Sequence, residues 1–208
     1  NLVVTMRVPA PRIRLSEVPT AILAGLACFL VIDQLRLFGS PLLSFLIRLE
    51  TQYYFALIAL LLPGVFLIYR SRWAALDAGL GLGAFLAPLW LLLHAEAIAN
   101  EGWEFLAPDH AVLAGGILWL LVLDAVRRVT GWVLFGIALV FSMYPLFADL
   151  MPLMISGMAI GFRETASYHA MSIESIVGLP FRAFANLVVG FLVFGATLQH
   201  TGGGAFFI

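Results

Sequence analysis

The sequence predicts an all-α fold: a polytopic integral membrane bundle of five or six transmembrane helices, with an additional interfacial amphipathic arm. Of its 208 residues, 62% are hydrophobic and 11% are charged, whereas soluble domains have roughly 45–50% and 25%. The mean hydropathy is +1.04. A soluble core of this size could not bury so much apolar surface, so we expect membrane lipid to surround most of the side chains.

Charge and cysteine content exclude several classes of protein. The formal net charge of -1 offers no polybasic attraction to phosphate, so no nucleic-acid partner is expected. Cys28 is the single cysteine and cannot form an internal disulfide. The chain is therefore neither a nucleic-acid binder nor a disulfide-stabilised scaffold.

Apolar runs of helical length define the spans. A bilayer core of roughly 30 Å requires about 20 mostly apolar helical residues. The six runs cover residues 18–37, 51–69, 73–93, 110–123, 131–148 and 183–198. Tyr53 and Tyr54 open the second run and Tyr69 closes it, as expected of aromatic anchors at the two membrane interfaces.

The arginines predict the orientation of these spans. They lie before the first span, between the second and third, and between the fourth and fifth: Arg7, Arg12, Arg14, Arg70, Arg72, Arg127 and Arg128. The opposite side receives the loop 95–109, which carries four acidic residues and no basic one. Because cytoplasmic loops retain positive charge, we expect a multi-pass protein with a cytoplasmic N-terminus.

A strip of small side chains in the third span predicts close helix packing. Ala75, Gly79, Gly83 and Ala87 repeat every four residues, which places them on one face of a helix. A neighbouring backbone can approach closely at such a face.

The polar side chains in and near the spans indicate structure rather than catalysis. His94 and Glu96 are two apart on a helix and point in different directions, and no further His or Cys completes a metal site. No serine or cysteine has the paired base of an activated nucleophile. We therefore expect no metal site, no catalytic residue and no enzymatic activity. Interfacial ion pairs are expected instead for Asp33 with Arg36, Asp77 with Arg72, and Asp124 with Arg128.

Residues 149–182 are too polar to span a membrane, yet they stay apolar at helical spacing. The apolar positions on one side are Ile173, Ile176, Val177 and Pro180. This pattern predicts an amphipathic helix along the membrane surface, ended by Gly178 and Pro180. Asn186 then lies inside the next apolar run. The segment is either an interfacial linker or an arm that leads into a substrate pathway.

From Asp124 onward, motifs occur in the order and spacing of a known family. They are Asp124-Ala125-Val126-Arg127-Arg128 with Gly131-Trp132, then Tyr144, Leu146 and Phe147, the run from Ser172 to Pro180 (SIESIVGLP), Phe194-Gly195-Ala196, and the run from Thr201 to Ile208 (TGGGAFFI). On these residues the chain resembles the fused (4TM/12TM) permeases of tripartite ATP-independent periplasmic (TRAP) transporters, in the group that works with TAXI-type binding proteins. Residues 1–123 match only as a pattern of spans and loops.

The resemblance implies a small four-helix domain fused to a large transport domain. Its regions would be a cytoplasmic N-terminal segment (1–17), a small-subunit-like membrane domain (18–128) and the start of the transport domain (129–208), which makes the chain an N-terminal fragment. Transport domains of this kind contain re-entrant hairpins. The run 183–198 would then either dip into the membrane and return or cross it.

The same resemblance implies the function. It indicates a permease component, located in the bacterial inner membrane, that imports small organic acids delivered by a periplasmic substrate-binding protein. Sodium is the expected coupling ion, with its site outside this chain, and no other cofactor is implied. The residues assigned to the substrate or ion pathway are Glu174, Gly178, Pro180 and Asn186.

The chain departs from the family at Arg182, Phe184 and Asn186, which stand where the family has small or hydroxyl residues after the proline. The alternative function is a non-transporting membrane subunit that anchors a peripheral or respiratory enzyme. Such a subunit would explain the packed spans and the absence of catalytic residues equally well.

Overall fold

The computed structural model describes residues 18–35, 42–152 and 154–201, and in these ranges the chain is helical with no strand. The helices are α1 (Val18–Gln34), α2 (Glu50–Ile68), α3 (Ala74–Leu93), α4 (Ala95–Glu101), α5 (Trp103–Leu106), α6 (Asp109–Thr130), α7 (Trp132–Met143), α8 (Phe162–Met171) and α9 (Leu179–His200). Two 3-10 turns, Tyr144–Leu146 and Ala148–Leu150, follow α7. The predicted segment 1–17, Arg36, and the motif residues 202–208 lie outside the described residues.

Three of the described helices, α2, α3 and α9, are long and apolar enough to cross a membrane. α1 and α7 are apolar but shorter. This agrees with the prediction of an all-helical membrane protein. Most predicted spans coincide with helices, but the fourth was placed too short, because α6 continues to Thr130. Arg127 and Arg128 both pair with Asp124 one turn earlier, so these charges extend the helix instead of ending it.

α2 lies at the centre of a four-helix bundle. It packs along α1 and α3, and α6 contacts both α2 and α3. Phe55, Leu57 and Phe66 of α2 are fully buried in this core. Tyr53 and Tyr54 are buried as well, with 5% and 1% of their surface exposed. The prediction that these two tyrosines anchor the interface is therefore wrong, since their rings face the inside of the protein.

α8 packs directly against α6, at a point where α6 has a glycine. A Cβ atom on Gly115 would lie 3.1 Å from the Cβ of Ala170 and 3.3 Å from the carbonyl oxygen of Ala166. The absence of a side chain at position 115 therefore allows the two helices to approach this closely.

The prediction of an amphipathic helix through residues 172–178 is wrong. The helix lies earlier, at α8, and residues 173–177 form turns. Local hydrogen bonds replace the helical ladder: the Ser172 hydroxyl accepts from the Glu174 amide, and the Ile176 amide donates to the His169 carbonyl. The predicted apolar face is divided accordingly, with Val177 fully buried and Ile173 51% exposed.

Pro180 begins a helix rather than ending one. It lies in the first turn of α9, where the missing amide hydrogen of proline costs nothing. A π-turn at Phe184–Val188 interrupts α9. Ala185 and Val189 are buried beside this turn, whereas the side chains from Phe191 to His200 are exposed or partly exposed. The first half of α9 therefore makes its contacts with the bundle.

Candidate functional site

A polar cavity of about 430 Å³ lies where the end of α1, the start of α2 and the π-turn of α9 meet. We call it the Tyr54 cavity. Its lining residues are Gln34, Ser44, Ile47, Arg48, Leu49, Glu50, Tyr53, Tyr54 and Asn186. The tyrosines and Ile47 are buried, whereas Ser44, Arg48, Glu50 and Asn186 are exposed. The volume falls within the range of small-molecule sites, about 300–1,000 Å³.

The segment before α2 is held at both ends by side chains that accept backbone hydrogen bonds. The Asp33 carboxylate accepts from the amides of Leu42 (2.6 Å) and Leu43 (3.1 Å). The Gln52 side-chain oxygen accepts from the amides of Arg48 (2.7 Å) and Leu49 (3.1 Å). These contacts fix the backbone that carries Ser44 and Arg48 beside the cavity. They also give Asp33 a role apart from its predicted pairing with Arg36, which lies outside the described residues.

Two tyrosine hydroxyls of α2 hold the π-turn of α9. Tyr53 donates a hydrogen bond to the Ala185 carbonyl (2.9 Å), and Asn186 Nδ2 donates to the Tyr54 hydroxyl (3.1 Å). A π-turn leaves the regular helical ladder, and such turns occur frequently at functional sites. Arg182 also lies over the Tyr54 ring, 5.4 Å from its centroid. The predicted site residue Asn186 is thus placed in the Tyr54 cavity.

Glu174 lies in a second cavity of about 390 Å³, which the turn 172–174 forms with α4, α5 and Thr51. Its carboxylate accepts a hydrogen bond from the Tyr168 hydroxyl at 3.3 Å. Burial and the nearby charge of Glu174 raise the pKa of Tyr168. The structure therefore does not bring Glu174 and Asn186 into one pocket.

Gly178 and Pro180 form the connection between these cavities. A Cβ atom on Gly178 would lie 2.7 Å from the Ser175 carbonyl oxygen, so a side chain cannot fit there without moving the turn. Pro180 follows in the first turn of α9. Both residues shape the backbone on which Glu174 and Asn186 are placed.

His169 fixes the same turn, although the sequence does not identify it as a site residue. Its Nδ1 lies 2.6 Å from the Ser175 hydroxyl, and its Nε2 lies 2.7 Å from the Ser142 carbonyl oxygen. The imidazole also stacks on Trp119, with ring centroids 5.0 Å apart. Burial lowers the pKa of His169 because desolvation disfavours the charged imidazolium. A lone histidine in a polar segment gives no sequence signal of these contacts.

At the opposite end of the bundle, a buried ion network joins α3 to α6. Arg128 pairs with Asp77 and with Asp124, each at 2.7 Å, and donates to the Tyr69 carbonyl. The side chains of Arg128 and Asp77 are 7% and 4% exposed. Asp124 pairs with Arg128 as predicted, but the predicted partner of Asp77 was wrong: Arg72 lies over the Trp73 ring instead. The inter-helix partner could not be inferred from spacing along the chain.

Only part of the predicted strip of small residues in α3 packs against a neighbouring helix. Ala87 is buried, and a Cβ atom on Gly83 would lie 3.5 Å from Leu121 of α6. Ala75 and Gly79 are exposed, and nothing in the described chain lies within 4 Å of a Cβ atom built on Gly79. The close packing of α3 with α2 uses Gly81, which the periodic pattern did not include.

Among the described residues, no group of three His, Cys, Asp or Glu side chains could hold a metal ion. Comparison with protein-family models, curated proteins and solved structures found no match. Structural evidence on function therefore comes from the geometry of the two cavities.

Proposed function

We propose that this chain is a permease component of a binding-protein-dependent secondary transporter, which imports organic acids with sodium as the coupling ion. The structural observation on which this proposal mainly rests is the polar Tyr54 cavity at one end of an apolar helical bundle. Polar groups inside membrane proteins are costly and mark substrate or ion pathways. The choice of substrate class and coupling ion follows the resemblance of residues 124–208 to TRAP permeases.

In the proposed arrangement α1, α2, α3 and α6 form the scaffold, and the segment from α7 onward begins the transport domain. The arginine-rich end, with Arg127 and Arg128, faces the cytoplasm of a bacterial cell. The Tyr54 cavity and the Glu174 cavity then face the periplasm, where a substrate-binding protein would dock. The π-turn of α9 supports this proposal, because interrupted helices are typical of transporter sites.

Transport by the complete permease in proteoliposomes tests the proposal. Radiolabelled mono- and dicarboxylates are offered with the purified binding protein, and an inward sodium gradient is applied or collapsed. We expect uptake that requires both the gradient and the binding protein. Uptake that ignores both would contradict the proposal.

A matched pair of variants connects this uptake to the cavity. Asn186→Ala removes the hydrogen bond to Tyr54 and should slow uptake. Asn100→Ala changes an exposed asparagine of α4 and should leave uptake unchanged. Equal uptake rates in both variants would show that the Tyr54 cavity takes no part in transport.

The alternative is a non-transporting membrane anchor, and the buried network of Asp77, Arg128 and Asp124 favours it. A network that saturates its own charges suits a rigid scaffold. An anchor would copurify with a peripheral enzyme in stoichiometric amounts and would show no uptake. The proteoliposome experiment therefore separates the two functions.

A further inference from the structure

We propose that the Tyr54 cavity binds a small zwitterion, a ligand with an oxyanion group and an adjacent ammonium group. This inference deepens the proposed function and rests on it for its biological role, but the binding itself can be measured separately. Its basis is the set of polar groups that three separate segments bring to one cavity.

One buried donor in the cavity is unpaired. Gln34 lines the cavity, and its buried Nε2 atom has no hydrogen-bond partner in the described residues. Buried polar atoms are almost always hydrogen-bonded, and an unpaired donor carries a desolvation cost that a ligand acceptor removes. The Gln34 amide therefore indicates an acceptor, such as an oxygen of a carboxylate or phosphate.

The cavity carries one charge of each sign. Arg48 and Glu50 are the charged residues that line it. An oxyanion alone would be attracted by Arg48 and repelled by Glu50, and a lone cation would meet the reverse. A ligand with both groups meets a complementary charge at each. Arg48 is not saturated by its neighbour, since it lies 3.8 Å from an exposed Glu96.

Acceptors for an ammonium group lie near Glu50. The Tyr54 hydroxyl lies 3.4 Å from Glu50 Oε2, a long contact that leaves most of the carboxylate free to accept. Asn186 contributes a further side-chain oxygen at the same rim, because its Nδ2 is the atom that donates to Tyr54. These acceptors fit an ammonium group that carries N–H, whereas a quaternary ammonium has no hydrogen to donate.

Two sources supply this chemistry, a free amino acid and the headgroup of phosphatidylethanolamine. Calorimetry on the purified permease in detergent would compare glycine and O-phosphoethanolamine with acetate and methylamine, which carry the two groups separately. Native mass spectrometry after extraction from nanodiscs would compare retention of phosphatidylethanolamine with that of phosphatidylcholine. We expect glycine to bind at least about tenfold more tightly than acetate. We expect the same margin for phosphatidylethanolamine over phosphatidylcholine, which has no primary ammonium group.

The two measurements together assign the source. Binding of glycine or O-phosphoethanolamine without lipid retention identifies a free solute, and selective retention of phosphatidylethanolamine identifies the headgroup. Binding of acetate as tightly as glycine, with no lipid selectivity, would overturn the proposal.

Exchanging the charges of Arg48 and Glu50 distinguishes ligand binding from a purely structural role of these residues. Arg48→Glu and Glu50→Arg should each weaken binding by about tenfold or more, and the double variant should recover part of it. Arg163→Gln and Glu101→Gln change residues outside the cavity and should bind like the wild type. Single exchanges that leave binding unchanged would contradict the site.

Failure of the site and failure of the proposed function give different results. Uptake of organic acids without binding of any zwitterion would remove the site and leave the transporter. Binding that follows the charge exchanges, in a protein that shows no uptake, would keep the site and remove the transporter.

Discussion

The polar side chains at the two ends of the helical bundle differ in how far neighbouring groups pair with them. At one end Arg128 satisfies Asp77, Asp124 and the Tyr69 carbonyl, and it is almost fully buried. At the other end the Tyr54 cavity contains the Gln34 amide, whose Nε2 has no partner among the described residues, and the two charged residues of the cavity are exposed. The first end holds helices together, and the second carries the donors and acceptors on which the proposed ligand site rests.

This difference shows how a polar residue in a membrane helix can be interpreted. A charge whose partners saturate it carries structure, because removing one partner leaves the others buried and unpaired. A polar group without a partner carries a cost that only binding or solvent can relieve. Asp77 and Gln34 are examples of the two cases in one molecule.

The largest effect is expected from the saturated end. Arg128→Met leaves Asp77 with the Ser71 amide and Asp124 with Arg127 as their remaining partners. It should lower the free energy of unfolding strongly, because both carboxylates lose the cation that they share across α3 and α6. Thermal unfolding in detergent, followed by tryptophan fluorescence, measures this loss. Arg70→Met is the control, since Arg70 is exposed and, within the described part of the chain, its side chain bonds only the Leu67 carbonyl. Equal midpoints for both variants would show that the network adds no stability.

A smaller effect is expected where α8 packs against α6. Gly115→Ala places a methyl group against Ala170 and Ala166, and such overpacking costs about 1–3 kcal/mol. Gly79→Ala has open space around it and should stabilise α3 by about 0.5–1 kcal/mol. Opposite signs of the two shifts in the unfolding midpoint would support this packing. A stabilising Gly115→Ala would show that α6 and α8 lie farther apart.

The turn that carries Glu174 should weaken in acid. The pKa of His169 is lowered in the folded state from its ordinary value of 6.5, so the unfolded chain binds more protons in the window between the two pKa values. The contribution of His169 is therefore complete above about pH 6.5 and decreases as the pH falls toward its folded pKa. In the wild type, the unfolding midpoint should therefore decrease as the pH is lowered through this range.

The His169→Gln variant provides the control for this pH effect. Glutamine retains a donor and an acceptor but does not titrate, so the acid-dependent part of the decrease should be absent. A variant that follows the wild-type pH dependence would assign the effect to another group.

The helices could be predicted because the apolar runs have the length that a bilayer requires, and α2 and α3 begin and end within one residue of the predicted spans. Contacts between distant parts of the chain could not be predicted in this way. The partner of Asp77 is 51 positions away at Arg128. The apolar spacing of residues 172–178 predicts a helix, but the segment forms a turn. The turn is stabilised by local hydrogen bonds to His169 and Ser172, which the spacing of apolar residues does not show.

The candidate site shows the same division. Asn186 stands out as a polar residue within an apolar run, so the sequence could identify it. Tyr53 and Tyr54 have the positions of interfacial anchors, and only the structure shows that they contact residues 132 positions away in α9. Arg48 enters the site because Asp33 and Gln52 accept hydrogen bonds from the two ends of the segment 42–49 before α2.

The smallest effect concerns the bond that holds the π-turn. Tyr53→Phe removes the hydroxyl that donates to the Ala185 carbonyl, and a single hydrogen bond of this kind contributes about 0.5–1.5 kcal/mol. Since this bond joins α2 to the π-turn and the bundle core keeps its own contacts, the loss should be local. Hydrogen exchange by mass spectrometry should show faster exchange in residues 184–190 and unchanged exchange in α3. Tyr69→Phe, at an exposed tyrosine, is the control. Faster exchange throughout the bundle would mean that Tyr53 supports the whole core, whereas unchanged exchange would mean that other contacts hold α9 on α2.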